Sequence, residues 1–480
     1  MRIRNNRIIY PDNLTGIYKK ALEVLSAIIV EQVVEYPACV KVSDYSENGD
    51  FRDFFIGTKE NNPYIKEFSK AQLTKNQEYA ISVTDDRIII EGYDDVGVLY
   101  GCVDFYGKYL VPKSRSYTSG PYIVKVFENK LKEAFITSAP AAQNRGFWTW
   151  GHVIYDWRGY IDNMLKLKLN TLIIWNDFPP INAREVISYA HDAGIKIIWG
   201  FPWLWDTDCN KVDLDNLSKV SDEIVKYYKE NYADLGGDGI YFQSFTELDT
   251  EKIGGKVIAE VVTEFVNDTA GKLFEKYPKL ELQFGLHANS VKNRLEFIKN
   301  VDERISIIWE NCGCFPFSYI PETEIKEPIT PEMEIAEGFE NTKAFVNKIT
   351  NLRGEKERFG VVVKGLTKLD WKNFQHQSGP FALGCATKKF KENRIERKKR
   401  IWHYIQAGWI SESDSIREII NLMIENTKGN IILTALLEDG MFEDKLYYPV
   451  ILLSEMMWDN KTPLKEIEKL ALMRSDAEFV

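Results

Sequence analysis

From Asn144 onward, short apolar runs alternate with longer stretches whose apolar residues recur at helical spacing. The runs fall at Asn144–Trp150, Thr171–Trp175, Ile195–Gly200, Gly239–Phe245, Leu280–Leu286, Ile305–Trp309, Gly360–Lys364 and Asn430–Leu436. Their length and their content of branched and aromatic residues suit buried strands. Between them, Tyr160, Ile161, Met164, Leu165 and Leu169 share one helical face. Val186, Tyr189 and Ala190 share another, and Gly194 is placed to end that helix. Apolar strands separated by amphipathic helices are the pattern of βαβ units, which imply a parallel sheet. Eight such units predict a closed (β/α)8 TIM barrel rather than an open doubly wound sheet. No G-x-G-x-x-G or P-loop sequence follows any run, which also weighs against a nucleotide-binding fold. Extra helical pattern precedes the last strand, and its basic run Lys388–Lys399 reads as a solvated helix face. Residues 447–459 read as the closing helix, with a short helical tail after Pro463.

The first 135 residues have a different rhythm. Ile17, Ala21, Leu22, Leu25 and Ile28 mark a helix, short strands follow at 39–42, 54–58 and 79–83, and a second helix spans 96–110. Residues 79–95 read as a hairpin turning at Asp85-Asp86. These features predict a small α/β (α+β) domain at 1–135, with a structural role. It precedes a barrel domain at 136–480 that carries a helical insertion at about 385–428. A chain of 480 residues is long for a single core, which agrees with two domains.

Composition narrows the functional classes. A hydrophobic share of 44% and a charged share of 28% are those of a globular protein. The net charge of -10 argues against a nucleic-acid partner, because polyanions demand basic surface. No segment supplies the roughly 20 apolar residues of a membrane span. The N-terminus lacks the apolar core of a secretory signal, so the expected location is cytoplasmic. The six cysteines and five histidines show no metal-ligand spacing, and neither a metal nor a cofactor is expected.

In such a barrel, chemistry belongs to the carboxyl ends of the strands. There the chain places Trp148, Trp150 and His152, then Trp175, Asn176 and Asp177, then Trp203, Trp205 and Asp206. The fourth strand leads to Thr246, Glu247 and Asp249, the fifth to His287 and Asn289, and the sixth to Glu310 and Asn311. The seventh supplies Lys364 and, further on, Trp371. Of twelve tryptophans, nine lie between 148 and 371, beside amides and carboxylates. Indole faces and polar hydroxyl-binding groups together suit a pyranose. Glycoside hydrolysis needs a carboxylic acid for the leaving oxygen and a second group that attacks or activates water. Glu247 is the candidate acid. Glu310, across the mouth, and Asp249, nearby in sequence, are both candidates for the second group. Lys364 ends an otherwise apolar run. It is suited either to pairing with Glu310 or Asp370, or to binding a substrate carboxylate.

Two segments carry a resemblance. Residues 79–110, YAISVTDDRIIIEGYDDVGVLYGCVDFYGKYL, look like the non-catalytic α/β domain that precedes the barrel in β-N-acetylhexosaminidases and α-glucuronidases. Residues 158–177, RGYIDNMLKLKLNTLIIWND, are similar to the first helix and second strand of the same barrels. Those hexosaminidases place an adjacent Asp-Glu pair after strand four. The glucuronidases place Ser-Glu there, and Thr246-Glu247 is nearer to that. The resemblance implies a glycoside hydrolase acting on an N-acetylhexosaminide or a uronic-acid sugar, with Lys364 as the cation for a uronate. A carbohydrate-binding protein without catalysis, and a lyase using the same mouth, stay open as alternatives. A homodimer also stays open.

Overall fold

The structure is a computed structural model. It describes residues 5–33, 36–84, 87–105, 115–119, 122–126, 133–176, 178–204, 212–248, 250–287, 290–310, 339–354, 358–363, 365–366, 379–437 and 441–476. The chain divides into two compact units, residues 1–140 with 191–194, and residues 141–190 with 195–480.

The first unit holds β1 (Asn5–Tyr10), β2 (Ala38–Lys41), β3 (Phe51–Gly57), β4 (Tyr79–Val83), β5 (Arg87–Gly92), the separate antiparallel pair β6 (Arg115–Ser119) and β7 (Tyr122–Val126), and β8 (Ala134–Ser138). Six strands make one sheet in the order β2-β1-β3-β5-β4-β8. The β4–β5 hairpin is antiparallel, as the sequence predicts, while its turn residues lie outside the described residues. The sequence reading misses β1, which lies within this sheet and pairs in parallel with both β2 and β3. Its apolar core is only Ile8-Ile9-Tyr10, and a partner outside the segment completes it. Arg7 makes a buried two-pronged ion pair with Asp53 on β3, at 2.8 and 2.9 Å. Helices Gly16–Val33 and Asp95–Asp104 pack together. On one sheet face Ile9, Phe55 and Ile89 bury Ile65 of the short helix Pro63–Phe68.

The second unit is a closed, all-parallel barrel. Its strands are β9 (Asn144–Trp150), β10 (Thr171–Trp175), β11 (Lys196–Gly200) and β12 (Gly239–Gln243). After a short hairpin of β13 (Lys252–Ile253) and β14 (Lys256–Val257) come β15 (Glu281–Leu286), β16 (Ile305–Trp309), β17 (Phe359–Val363) and β18 (Ile431–Leu436). β18 pairs with β9 and closes the ring. Every predicted run became a strand, though the fourth ends at Gln243 rather than Phe245. The extra helices are Lys388–Ser411 and Ser413–Asn426, and the closing helix is Tyr448–Trp458.

Alternation along the strands points Trp148, Ile173, Ile198, Tyr241, Ile308, Val362 and Ile432 into one interior cluster. The register aligns Trp148 with Ile173 and Ile173 with Ile198. At the amino end of the barrel, Arg145 is fully buried. Its guanidinium donates to the carbonyls of Ala142, Gln143 and Lys168 at 2.6 to 3.2 Å.

Candidate functional site

At the opposite, carboxyl end, three side chains from consecutive strands meet. Glu247 follows β12, His287 follows β15 and Glu310 follows β16. His287 Nε2 lies 2.7 Å from Glu310 Oε2, and His287 Nδ1 lies 3.8 Å from Glu247 Oε1. The imidazole therefore stands between two carboxylates of very different setting. The Glu247 side chain is 42% exposed, while that of Glu310 is 5% exposed.

Glu310 is saturated from below. Gln243 Nε2 donates to its two oxygens at 2.7 and 2.6 Å, and the Tyr241 hydroxyl donates to Oε1. Burial, and then the neighbouring Glu310 charge, push the Tyr241 phenol well above its ordinary pKa, so it remains a proton donor. Gly285 makes room for this arrangement. A methyl group there would come within 2.1 Å of Glu310 Oε1 and 2.5 Å of the Tyr241 oxygen. Nε2 is thus the ring nitrogen that meets Glu310, and Nδ1 is the one turned toward Glu247. The Glu247 loop is held from the next strand. The Ser290 amide donates to the Thr246 carbonyl at 3.2 Å, and Ser290 Oγ donates to the Leu248 carbonyl at 2.5 Å.

The sequence reading cast Glu310 as an attacking or water-activating group. In the structure its oxygens accept from Tyr241 and Gln243 and meet His287, an arrangement that suits a carboxylate fixing a histidine. The reading overlooked Tyr241 and Gln243. Both lie at inward positions of β12, and a glutamine in an otherwise apolar strand was the available signal.

The tryptophans are placed more deeply than a row of sugar platforms would require. Trp148 packs edge-on against Trp150 at 4.7 Å and stacks with Trp175 at 5.8 Å, and all three are buried. Together with Tyr241 they floor the mouth. Trp203 is fully buried and stacked on Phe242 at 3.6 Å, so its indole is used in packing. His152 is half-buried, with its ring 6.4 Å from that of Trp150. The Asn176 side chain is buried, and its Nδ2 has no partner among the described residues. Asp177, Trp205, Asp206, Asp249, Asn289, Asn311, Lys364 and Trp371 lie outside the described residues. Among the described residues, no cluster of three or more His, Cys, Asp or Glu could hold a metal, and no helix is long and apolar enough to cross a membrane.

No family model matches the sequence, and no curated protein matches it. The fold does have solved counterparts. A GH138 enzyme targeting pectin rhamnogalacturonan II superposes with a TM-score of 0.56 at 13% identity, over 96% of this chain and 52% of that one. Flavobacterium johnsoniae chitobiase, a GH20 protein, gives 0.55 at 12% identity, over 98% and 68%. A GH115 4-O-methyl-α-glucuronidase with specificity for decorated arabinogalactans gives 0.51 at 13% identity, over 98% and 59%. The chain spans about half the length of the GH138 enzyme. At such identities the likeness establishes a divergent glycoside-hydrolase-like fold, a TIM barrel with an N-terminal α/β domain.

Proposed function

We propose that this protein is a glycosidase in which Glu247 protonates the leaving oxygen of a glycosidic bond. The observation that carries the reading is the asymmetry around His287. A buried, saturated carboxylate fixes one ring nitrogen, and the other nitrogen faces an accessible carboxylate at the end of the fourth strand. Glu247 is the accessible one of the two carboxylates, as a general acid must be to reach the leaving oxygen. Glu310, Tyr241 and Gln243 are positioning residues in this scheme. Because Glu310 is committed to His287, the reading gives the second catalytic role to Asp249.

The fold supports a carbohydrate as the substrate class. Solved proteins of this architecture include ones named for chitobiose and for glucuronides, and an N-acetylhexosaminide or a uronic-acid sugar is the reading for this chain. The test is release of aryl alcohol from a panel of aryl α- and β-glycosides, with Glu247→Gln alongside. One member should be turned over, and the variant should lose about 10²–10⁴ in kcat. Equal turnover by the variant removes Glu247 from the mechanism. Silence of the wild type toward the panel and toward natural oligosaccharides favours a carbohydrate-binding protein.

A further inference from the structure

A cavity of about 560 Å³ opens beside the turn that follows β9, within the range of roughly 300–1,000 Å³ usual for ligand sites. One wall is the turn itself, with Gly151, His152, Ile154 and Tyr155. The other is the strip 381–390, which includes Phe381 and Phe390. The strip is fastened on two sides by backbone bonds. Ala386 N–H donates to the Tyr155 carbonyl at 2.5 Å, Trp157 N–H to the Gly384 carbonyl at 3.1 Å, and Ile181 N–H to the Phe381 carbonyl at 2.7 Å. Asn182 adds a reciprocal pair of bonds to the Leu383 backbone, at 2.8 and 3.2 Å. The cavity is therefore preformed, which lowers the ordering cost of binding.

Its chemistry is selective. Phe381, Tyr155 and Phe390 offer flat apolar surface, and Phe390 is 40% exposed. The charged groups around the cavity include ion pairs and Arg394, whose guanidinium lies over the Tyr155 ring at 5.4 Å. Lys391 bridges Asp156 and Asp444, at 2.7 Å to each, and Arg158 pairs with Glu185. His152 is a polar side chain on the lining itself. Gly151 is wedged between Asn176 and Phe381, since a Cβ there would lie 2.1 Å from Asn176 Nδ2 and 3.0 Å from Phe381 Cζ. That amide is the buried donor without a partner among the described residues. Aromatic faces beside an imidazole fit a ring with apolar faces and a hydroxyl rim.

We propose that this cavity is a second ring-binding subsite, for a pyranose of a saccharide whose neighbouring ring occupies the barrel mouth. The link to the mouth rests on the glycosidase reading, and the binding site itself does not. The test is calorimetric titration of the full chain with one-ring methyl glycosides of glucose, galactose and N-acetylglucosamine, and with their β-linked di- and trisaccharides. The variants are Ala386→Trp, which fills the cavity, and Phe390→Ala, which removes an exposed ring at little risk to folding. The longer saccharides should bind the wild type about tenfold more tightly than the one-ring glycosides. Ala386→Trp should abolish that gain, and Phe390→Ala should reduce it about threefold. Equal affinity for short and long saccharides in the wild type overturns the proposal, as does a gain that both variants keep. Glu247→Gln, titrated and assayed in parallel, separates the two readings. Turnover that survives this variant counts against the glycosidase mechanism, while a cavity-dependent gain that persists in it still supports the subsite.

Discussion

The two ends of the barrel bury similar charged groups to opposite effect. At the amino end, Arg145 spends its guanidinium on the carbonyls of Ala142, Gln143 and Lys168. Nearby, buried Glu455 takes an ion pair from Arg474, with Lys168 at 4.0 Å. The Arg145 contacts end on backbone carbonyls inside the protein. At the carboxyl end, Glu310 is just as buried and just as saturated, but its contacts lead through His287 to a carboxylate open to solvent. A polar network closed on itself can only stabilise. One that leads to an accessible carboxylate lies, here, where barrel enzymes keep their chemistry.

The comparison can be broken at either end. Arg145→Met leaves buried carbonyls without donors and should cost about 3–5 kcal/mol of stability, measured by denaturant unfolding. Activity per folded molecule should stay unchanged, and a stability within about 0.5 kcal/mol of wild type would contradict the closed-network account. At the other end, Glu310→Gln should lower kcat about 10- to 100-fold with little change in KM, because it loosens His287 without touching substrate. A loss as deep as that of Glu247→Gln, with activity restored by azide, would instead make Glu310 the attacking group.

Gly285→Ala sharpens the same point through sterics. Its methyl group would displace Glu310 or the Tyr241 hydroxyl, at a cost of about 1–3 kcal/mol. Activity should fall along with stability. Unchanged kinetics would show that Glu310 can move without consequence for the site.

The smallest effect concerns Glu443, buried after β18, whose carboxyl is pushed up to about 8. Burial is the main cause, and the amides of Tyr155 and Asp156 oppose it. The unfolded chain releases this proton near 4.5, whereas the folded chain holds it to about 8. The contribution to stability is therefore complete below the lower value, declines as pH rises between the two, and is lost above the higher one. Glu443→Gln keeps an acceptor for the Tyr155 amide and removes the ionisation. Its melting temperature should fall less steeply across that window than that of the wild type. Parallel slopes would show that Glu443 does not titrate there.

Much of this was legible in the chain. The barrel strands announced themselves as apolar runs, because a strand covered on both faces needs no partner-specific residue to be recognised. Glu247, His287 and Glu310 were visible as polar residues at the ends of such runs. Other features were not legible. Ile8-Ile9-Tyr10 becomes a strand beside β3 only because Arg7 finds Asp53, 46 positions away. Trp203 looks the same in sequence whether it faces a sugar or, as here, stacks on Phe242.

The sequence by itself determined the order of elements, the fold class and the strand ends on which chemistry could sit. Hydrophobic periodicity and chain direction are local properties, and they suffice for that. The tertiary structure alone decided that Glu310 is held by Tyr241 and Gln243, that Gly285 clears its place, and that His287 divides a buried carboxylate from an open one. Those roles depend on distances between strands and on which lone pairs are already occupied, and both exist only once the barrel has closed.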